Sequence, residues 1–218
     1  MSTLQQLRAN FYDLIREAEN DHFTAAQANG LLNQGKDFLA VLSNSSTDRI
    51  DVTTEQSKGA YTLPSDTLLI NNAYFGDVTV SGDIGPLKII TEKVLTNLFP
   101  SWQDETTDAD GEPSYLLKLD RQTIYVHPRP DADNAGKKII LNYGYLPANM
   151  SSDSDSPDIP PVFHNLIPFY AAYLAYLSLS NTEVARQMYR DFINQYNTLK
   201  DVVDREADDI FRWKWISE

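Results

Sequence analysis

Apolar positions recur at two different periods along this chain, and the changes of period divide it into three stretches. Leu4, Leu7, Phe11, Leu14, Ile15 and Ala18 fall at helical spacing, so a first helix is predicted from Ser2 or Thr3. Asn20-Asp21-His22 interrupts it. Thr24 with Gln27 three residues on forms a capping-box pair, which starts a second helix. Its apolar stripe is Ala28, Leu31, Leu32, Phe38, Leu39 and Leu42, and Asn44-Ser45-Ser46 ends it. Gly30 and Gly35 each weaken this helix by about 1 kcal/mol relative to Ala, so it depends on tertiary packing.

Residues 45–150 carry strand and turn signals instead. Runs at 49–54, 67–71 and 77–81 lie between turn formers, and Val78 and Val80 share one face of the third. Residues 87–99 suggest a strand and then a short helix from Thr91, with Val94, Leu95 and Leu98 inward. Residues 115–119 and 123–127 flank an Asp120-Arg121 turn as a hairpin, ended by Pro128 and Pro130. Residues 138–145 supply another strand. About six strands result, which an antiparallel sandwich or barrel would bury.

The last stretch is helical again. Residues 150–159 form a linker rich in Ser, Asp and Pro, and Pro160-Pro161 suits the first turn of a helix. Residues 162–179 are apolar apart from His164, Asn165, Ser178 and the helix-disturbing Pro168. The longest unbroken run, 169–177, is too short to span a bilayer, so a buried helix is predicted. Asn181 caps a final helix striped by Val184, Met188, Phe192, Tyr196, Leu199, Val203, Ala207 and Ile210. Neither helical end can bury its apolar face alone, so the core is expected to join them. The expected fold class is α+β. Residues 1–44 and 158–218 form a helical bundle, and residues 45–157 form an inserted antiparallel β-sandwich or barrel-like domain.

Charge and composition narrow the function. The 218 residues, 42% hydrophobic, suffice for a sizeable core. The net charge is −13, from 18 basic and 31 acidic residues. Affinity for DNA comes largely from Lys and Arg displacing counterions, so tight binding to DNA or to an anionic membrane is not expected. The absence of cysteine excludes disulfides, thiolate zinc sites and a cysteine nucleophile. The first ten residues lack the pattern of a signal peptide.

Candidate chemistry is sparse. His22, His127 and His164 offer no pair at metal-ligand spacing, and each is expected to be structural. No Gly-x-Ser-x-Gly elbow exists, and the nine glycines form no phosphate loop. The run Asp104, Glu105, Asp108, Asp110, Gly111 suggests a calcium loop, of which Asp108, Asp110 and Gly111 fit the middle. Thr106 is a poor first ligand, however, and Leu117 replaces the final Glu. A solvated loop is the expectation there and at 151–158. With 31 acids, a carboxylate pair suited to glycoside hydrolysis says little. No catalytic residue, metal or cofactor is therefore expected, and the protein is not expected to be an enzyme.

Aromatic residues serve cores and interfaces more often than they stack sugars or bases. The segment Phe211-Arg212-Trp213-Lys214-Trp215-Ile216 gathers several near the chain end. Two readings fit: a helix end folded onto its own core, or an anchor in a neighbouring subunit or partner. Phe211, Trp213, Trp215 and Ile216 are the candidate partner-contact residues.

Four segments carry a family resemblance. Tyr61-Thr62-Leu63-Pro64-Ser65-Asp66-Thr67-Leu68-Leu69-Ile70 and Ile124-Tyr125-Val126-His127-Pro128-Arg129-Pro130 resemble strand-and-turn signatures of tailed-phage head–tail adaptor (connector) proteins. Leu141-Asn142-Tyr143-Gly144-Tyr145-Leu146-Pro147 is similar to the family's final strand. Asp158-Ile159-Pro160-Pro161-Val162-Phe163-His164-Asn165-Leu166 is similar to its linker and helix. The order of these motifs over roughly residues 61–175 carries the resemblance. Pro168 and the acidic 104–112 loop are less typical of it.

The resemblance implies a structural virion protein at the head–tail interface, made in the host cytoplasm. It implies a homo-oligomeric ring, commonly a dodecamer, that binds the portal protein on one side and a tail or nozzle protein on the other. DNA would pass through the channel without specific binding, and no membrane is involved. The chief rival is a carbohydrate- or receptor-binding β module on a helical stalk, which requires exposed aromatics on one sheet face. A hydrolase with an acidic site would require a pocket with two converging carboxylates.

Overall fold

The computed structural model describes residues 1–16, 21–104 and 110–216, with side chains described through residue 201. It is an α+β chain in two compact units, Met1–Ser46 with Pro147–Glu218, and Thr47–Leu146.

In the first unit, α1 (Leu4–Ile15) and α2 (Ala25–Ser43) begin with the same device. The Thr3 hydroxyl accepts from Gln6 N at 3.4 Å, and Gln6 Oε1 accepts from Thr3 N at 3.0 Å. Thr24 and Gln27 repeat the exchange at 3.3 and 2.8 Å. Each box satisfies amides that a helix start leaves without an intrahelical acceptor. Arg16 and Asn44, in the left-handed conformation, end the two helices. The linker supplies further acceptors: Leu4 N donates to Asp155 O at 2.8 Å and Gln5 N to Asp153 O at 3.2 Å. Arg8 pairs with the Asp153 carboxylate at 3.0 Å. The linker loop is itself shaped by Asp155, whose carboxylate accepts from Ser151 N and Ser152 N, both at 2.8 Å. Those backbone bonds, Ser152's first, favour the ionised form and hold its pKa below the ordinary value.

A 3-10 helix, Pro161–Leu166, leads into α4 (Ile167–Ser178), and α5 (Thr182–Ile216) follows. Pro168 is the second residue of α4, where no intrahelical acceptor awaits its missing N–H, so it disturbs nothing. Asn181 caps α5: its carbonyl accepts from Ala185 N at 3.0 Å and its side chain from Val184 N at 3.4 Å. One apolar cluster joins Leu4, Leu7 and Phe11 of α1 with Leu32 and Leu39 of α2, and with side chains of α4 and α5. Gly35 lets α2 and α4 approach closely, since a Cβ there would lie 2.9 Å from the Ile167 carbonyl oxygen.

Two polar side chains of α2 hold the returning chain. Lys36 is fully buried; its ammonium donates to Pro147 O at 2.7 Å and Ala148 O at 2.6 Å, and lies 3.0 Å from Asp37 Oδ1. Asn33 exchanges two hydrogen bonds with the Met150 backbone, at 3.0 and 2.9 Å. Residues 147–150 thus find in α2 the backbone partners that a strand would have given them.

The second unit holds β1 (Thr47–Thr53), β2 (Ala60–Thr62), β3 (Thr67–Gly76), β4 (Gly85–Pro86) and β5 (Lys88–Ile90). Helix α3 (Glu92–Leu98) follows, then β6 (Asp110–Gly111), β7 (Tyr115–Lys118), β8 (Thr123–His127), β9 (Arg129–Pro130) and β10 (Lys138–Tyr145). The strand orders are β1-β10-β3-β4, β2-β8-β7-β5 and β6-β9, and among the described residues no sheet closes into a barrel. Phe75, Ile139 and Leu141 from the first sheet share one apolar cluster with Tyr61, Leu116, Ile124 and Val126 from the second. Not every pair is antiparallel: β5 lies parallel to β7, and β6 to β9. The long crossover through α3 permits the first of these.

Three sequence expectations need correction. Residues 77–81 form a turn, not a strand, because Asp77 Oδ1 accepts from Thr79 N at 2.8 Å and folds the backbone locally. Val94 and Leu98 are 41% and 52% exposed, and only Leu95 of that stripe is buried, in a small cluster with Trp102 and Leu117. The strand tally was too low because β2, β4, β6 and β9 are two or three residues long, too short to leave a period.

Replacing Lys36 with Met leaves the buried Pro147 carbonyl and the part-buried Ala148 carbonyl without their donor and should lower the unfolding free energy by about 2 kcal/mol; urea titration measures it. The depressed pKa of Asp155 means its stabilising effect is complete above about pH 4 and is lost as pH falls through the lowered value. Protection of the Ser151 and Ser152 amides should fall over that acid range in the wild type and show no such step in Asp155→Asn.

Candidate interaction surface

The histidines are placed for structure. His164 Nδ1 accepts from Ser2 N at 3.2 Å, which leaves Nε2 to donate to Ile159 O at 3.0 Å. This buried ring ties the start of the chain to the linker. His127 is buried with the Phe99 ring 4.1 Å away, and His22 is exposed in a bend. Arg129 is buried with Nε 3.1 Å from Asp110 Oδ1. Of the acidic calcium-like run, Glu105 and Asp108 lie outside the described residues. Among the described residues, no three His, Asp or Glu side chains gather as a metal site.

A cavity of about 500 Å3 in the β-rich unit is lined by Lys58, Trp102, Tyr125 and Arg129, among others. Trp102 is only 5% exposed, stands 5.0 Å from Tyr125 in an edge contact, and donates its indole N–H to Thr96 Oγ1 at 3.0 Å. It is a core residue and not a platform for a sugar ring. The other described aromatics of this unit are also buried or half-buried, which removes the main support for the glycan-binding alternative. No described cavity brings two carboxylates together.

The helical unit presents a different surface. Helix α4 contains no charged residue. A helix that is apolar all round belongs in an interior, yet α4 is fully covered on one side only. Ile167 and the small residues Ala171, Ala172 and Ala175 are fully buried, whereas the bulkier Phe169, Tyr170, Tyr173 and Leu174 are partly buried and Leu177 is 41% exposed. The sequence predicts a buried helix; the structure buries its small face completely and its large face only in part.

Neighbouring elements continue that face. The Phe38 and Tyr170 rings stack at 4.2 Å, Tyr170 lies 5.5 Å from Tyr173, and Tyr173 lies 5.0 Å from Tyr189 of α5. Burial among these rings pushes the Tyr170 hydroxyl pKa up, with Tyr173 and Tyr189 adding to the shift. Val41, 52% exposed, and Leu42, 39% exposed, extend the patch along α2. Between α2 and α4 runs a groove of about 350 Å3 lined by Gln34, Asp37, Phe38, Val41, Tyr170 and Leu174. Aromatic and aliphatic surface of this kind, with few charges, characterises the centre of protein interfaces.

A second apolar feature lies in the β3–β4 turn, where Val78, Val80 and Ile84 are each more than two-fifths exposed. The turn is held by Asp77, which accepts from Thr79, and by Asp83, whose carboxylate accepts from Asp77 N at 2.8 Å.

A family model described as SU10 adaptor protein matches residues 2–212. The chain belongs to the SU10 adaptor family. Among curated proteins, none matches it significantly. Membership makes it a bacteriophage structural adaptor, a virion component that works by contact with other phage proteins, as the head–tail adaptor resemblance implied. Contact surfaces, not a reaction centre, are then the features of this SU10 adaptor to explain. No helix among the described residues is long and apolar enough to cross a membrane.

The backbone of α5 reaches Ile216, but the side chains of Phe211, Trp213, Trp215 and Ile216 lie outside the described residues. Sequence reasoning missed the outer face of α4 and the β3–β4 turn. The signal for α4 was available: alanines and large apolar residues fall on opposite sides when 167–178 is wound at 3.6 residues per turn.

Because Val41 and Leu177 face solvent, Val41→Ser and Leu177→Ser should each change folding stability by less than about 0.5 kcal/mol. Together they should reduce binding of a hydrophobic fluorescent dye to the isolated protein, since they interrupt the exposed patch; unchanged dye binding would place the patch elsewhere.

Proposed function

We propose that this SU10 adaptor is the subunit of a head–tail adaptor ring, a dodecamer, that joins the portal protein to a tail or nozzle protein. DNA passes through the ring without specific binding. In this reading residues 1–44 and 158–218 act as one helical bundle. The insert at 45–157, two sheets packed as a sandwich, meets a partner of its own. The observation that carries the reading is the uncharged helix α4, whose large residues are only partly covered, in a chain of an adaptor family. A ring requires two different adhesive surfaces on each subunit. The α2–α4 face serves as one, and the segment bearing Phe211, Trp213, Trp215 and Ile216 serves as a second. The net charge of −13 suits a conduit that must release its polyanionic cargo.

The test is removal of residues 211–218. Aromatic anchors are commonly worth about 2 kcal/mol or more, so incorporation of the truncated subunit into particles should fall on the order of tenfold or more. Imaging of wild-type particles should place a ring coaxial with the portal channel. Full incorporation of the truncated subunit would remove the C-terminal segment from the interface.

A further inference from the structure

We infer that Asp48, Arg49 and Asp51 guard the outer edge of β1, so that strands of other copies do not add to it. The inference concerns a part of the molecule that the ring reading leaves unused, and it does not depend on that reading.

A strand at the end of a sheet offers unpaired amides and carbonyls to any other chain. Four strands hold such positions in the two larger sheets: β1 and β4 end one, β2 and β5 the other. Strand β4 has two residues, one of them Pro86, and β2 and β5 have three each. Brevity blunts these three edges. Strand β1 has seven residues and no proline, and it pairs with β10 over its whole length without a register shift. It is the edge that needs another safeguard.

The ladder fixes which groups of β1 face outward. Thr54 N donates to Lys137 O at 2.9 Å, and in an antiparallel pair alternate residues turn their polar groups to the partner strand. Val52, Ile50 and Asp48 therefore face β10, and the amides of Thr53, Asp51 and Arg49 face away. The Arg49 amide is already taken, since it donates to Asp48 Oδ1 at 2.7 Å. The Arg49 guanidinium then forks onto the Asp51 carboxylate, Nε to Oδ1 at 2.8 Å and Nη2 to Oδ2 at 3.0 Å. These two side chains stay in solvent, 55% and 36% exposed. On the opposite face of the strand, Ile50 and Val52 pack against the apolar cluster, so the guard occupies the face that packing does not use. An added strand would have to displace Asp48 from the Arg49 amide and strip water from three charges. Because the fork is closed on itself, it offers an incoming chain no charge to pair with.

The test compares the full-length wild type with a variant carrying Asp48→Thr, Arg49→Thr and Asp51→Thr, which keeps good strand formers and loses the guard. Amide exchange at residues 51 and 53, followed by NMR over a range of protein concentrations, reads the edge directly. In the wild type it should not depend on concentration. In the triple variant it should slow about tenfold or more as concentration rises and new ladder bonds form. A second variant has Asp51→Pro in place of Asp51→Thr. The proline removes an outward amide without costing a bond to β10, and exchange at residue 53 should return to the wild-type behaviour. Should the triple variant fail to fold, Asp48→Ala with Asp51→Ala takes its place under the same criteria. Exchange that is as independent of concentration without the guard as with it overturns the inference. So does slowing that survives the proline, because association then runs through another surface. Concentration-dependent slowing already present in the wild type overturns it as well.

Discussion

The packing of α4 against α1, α2 and α5 is the interaction on which the remaining structure depends. Alanines 171, 172 and 175 let those helices approach closely. Elements separated in sequence by an excursion of about 100 residues are thereby brought together. Closing such a loop costs roughly 4 kcal/mol in chain entropy beyond a constant term. Each fully buried Leu or Phe contributes about 1.5–3 kcal/mol. Phe11, Leu32, Leu39, Leu166 and Phe192 are all buried in that contact, so apolar burial outweighs closure without help from the insert.

Polar groups then decide where the chain runs. Lys36 and Asn33 hold residues 147–150, Asp155 and Asp153 cap the start of α1, and His164 bridges Ser2 to Ile159. These bonds make the linker part of the helical unit and not a tether. The same economy leaves large apolar residues of α4 and α2 only partly covered, which in an adaptor is a surface to be used.

Much of this was legible in the sequence because local rules governed it. Thr24 with Gln27 announces one helix start and Asn181 another, while apolar spacing alone placed the first helix, whose Thr3–Gln6 box the structure reveals. The hairpin of β7 and β8 follows from apolar runs about an Asp-Arg turn. Failures occurred where a side chain overrode the pattern. Val78 and Val80 alternate like a strand, but Asp77 bonds its own backbone two residues on and bends the chain. Val94 and Leu98 mark a helical stripe wider than the single residue, Leu95, that α3 buries. For the interaction surface, composition identified an apolar segment at 162–179. Winding 167–178 as a helix separates its alanines from its large residues, but which of the two sides packs inward depends on tertiary contacts such as the one at Gly35.

Gly35 has a consequence that reaches beyond α2. A close approach of two helices works as a fulcrum, and this one sits about one helical turn from Phe38 and Tyr170. A methyl group inserted there would act as a shim, levering the helices apart and widening the slot above. The width of that slot is therefore gauged by a residue that does not line it.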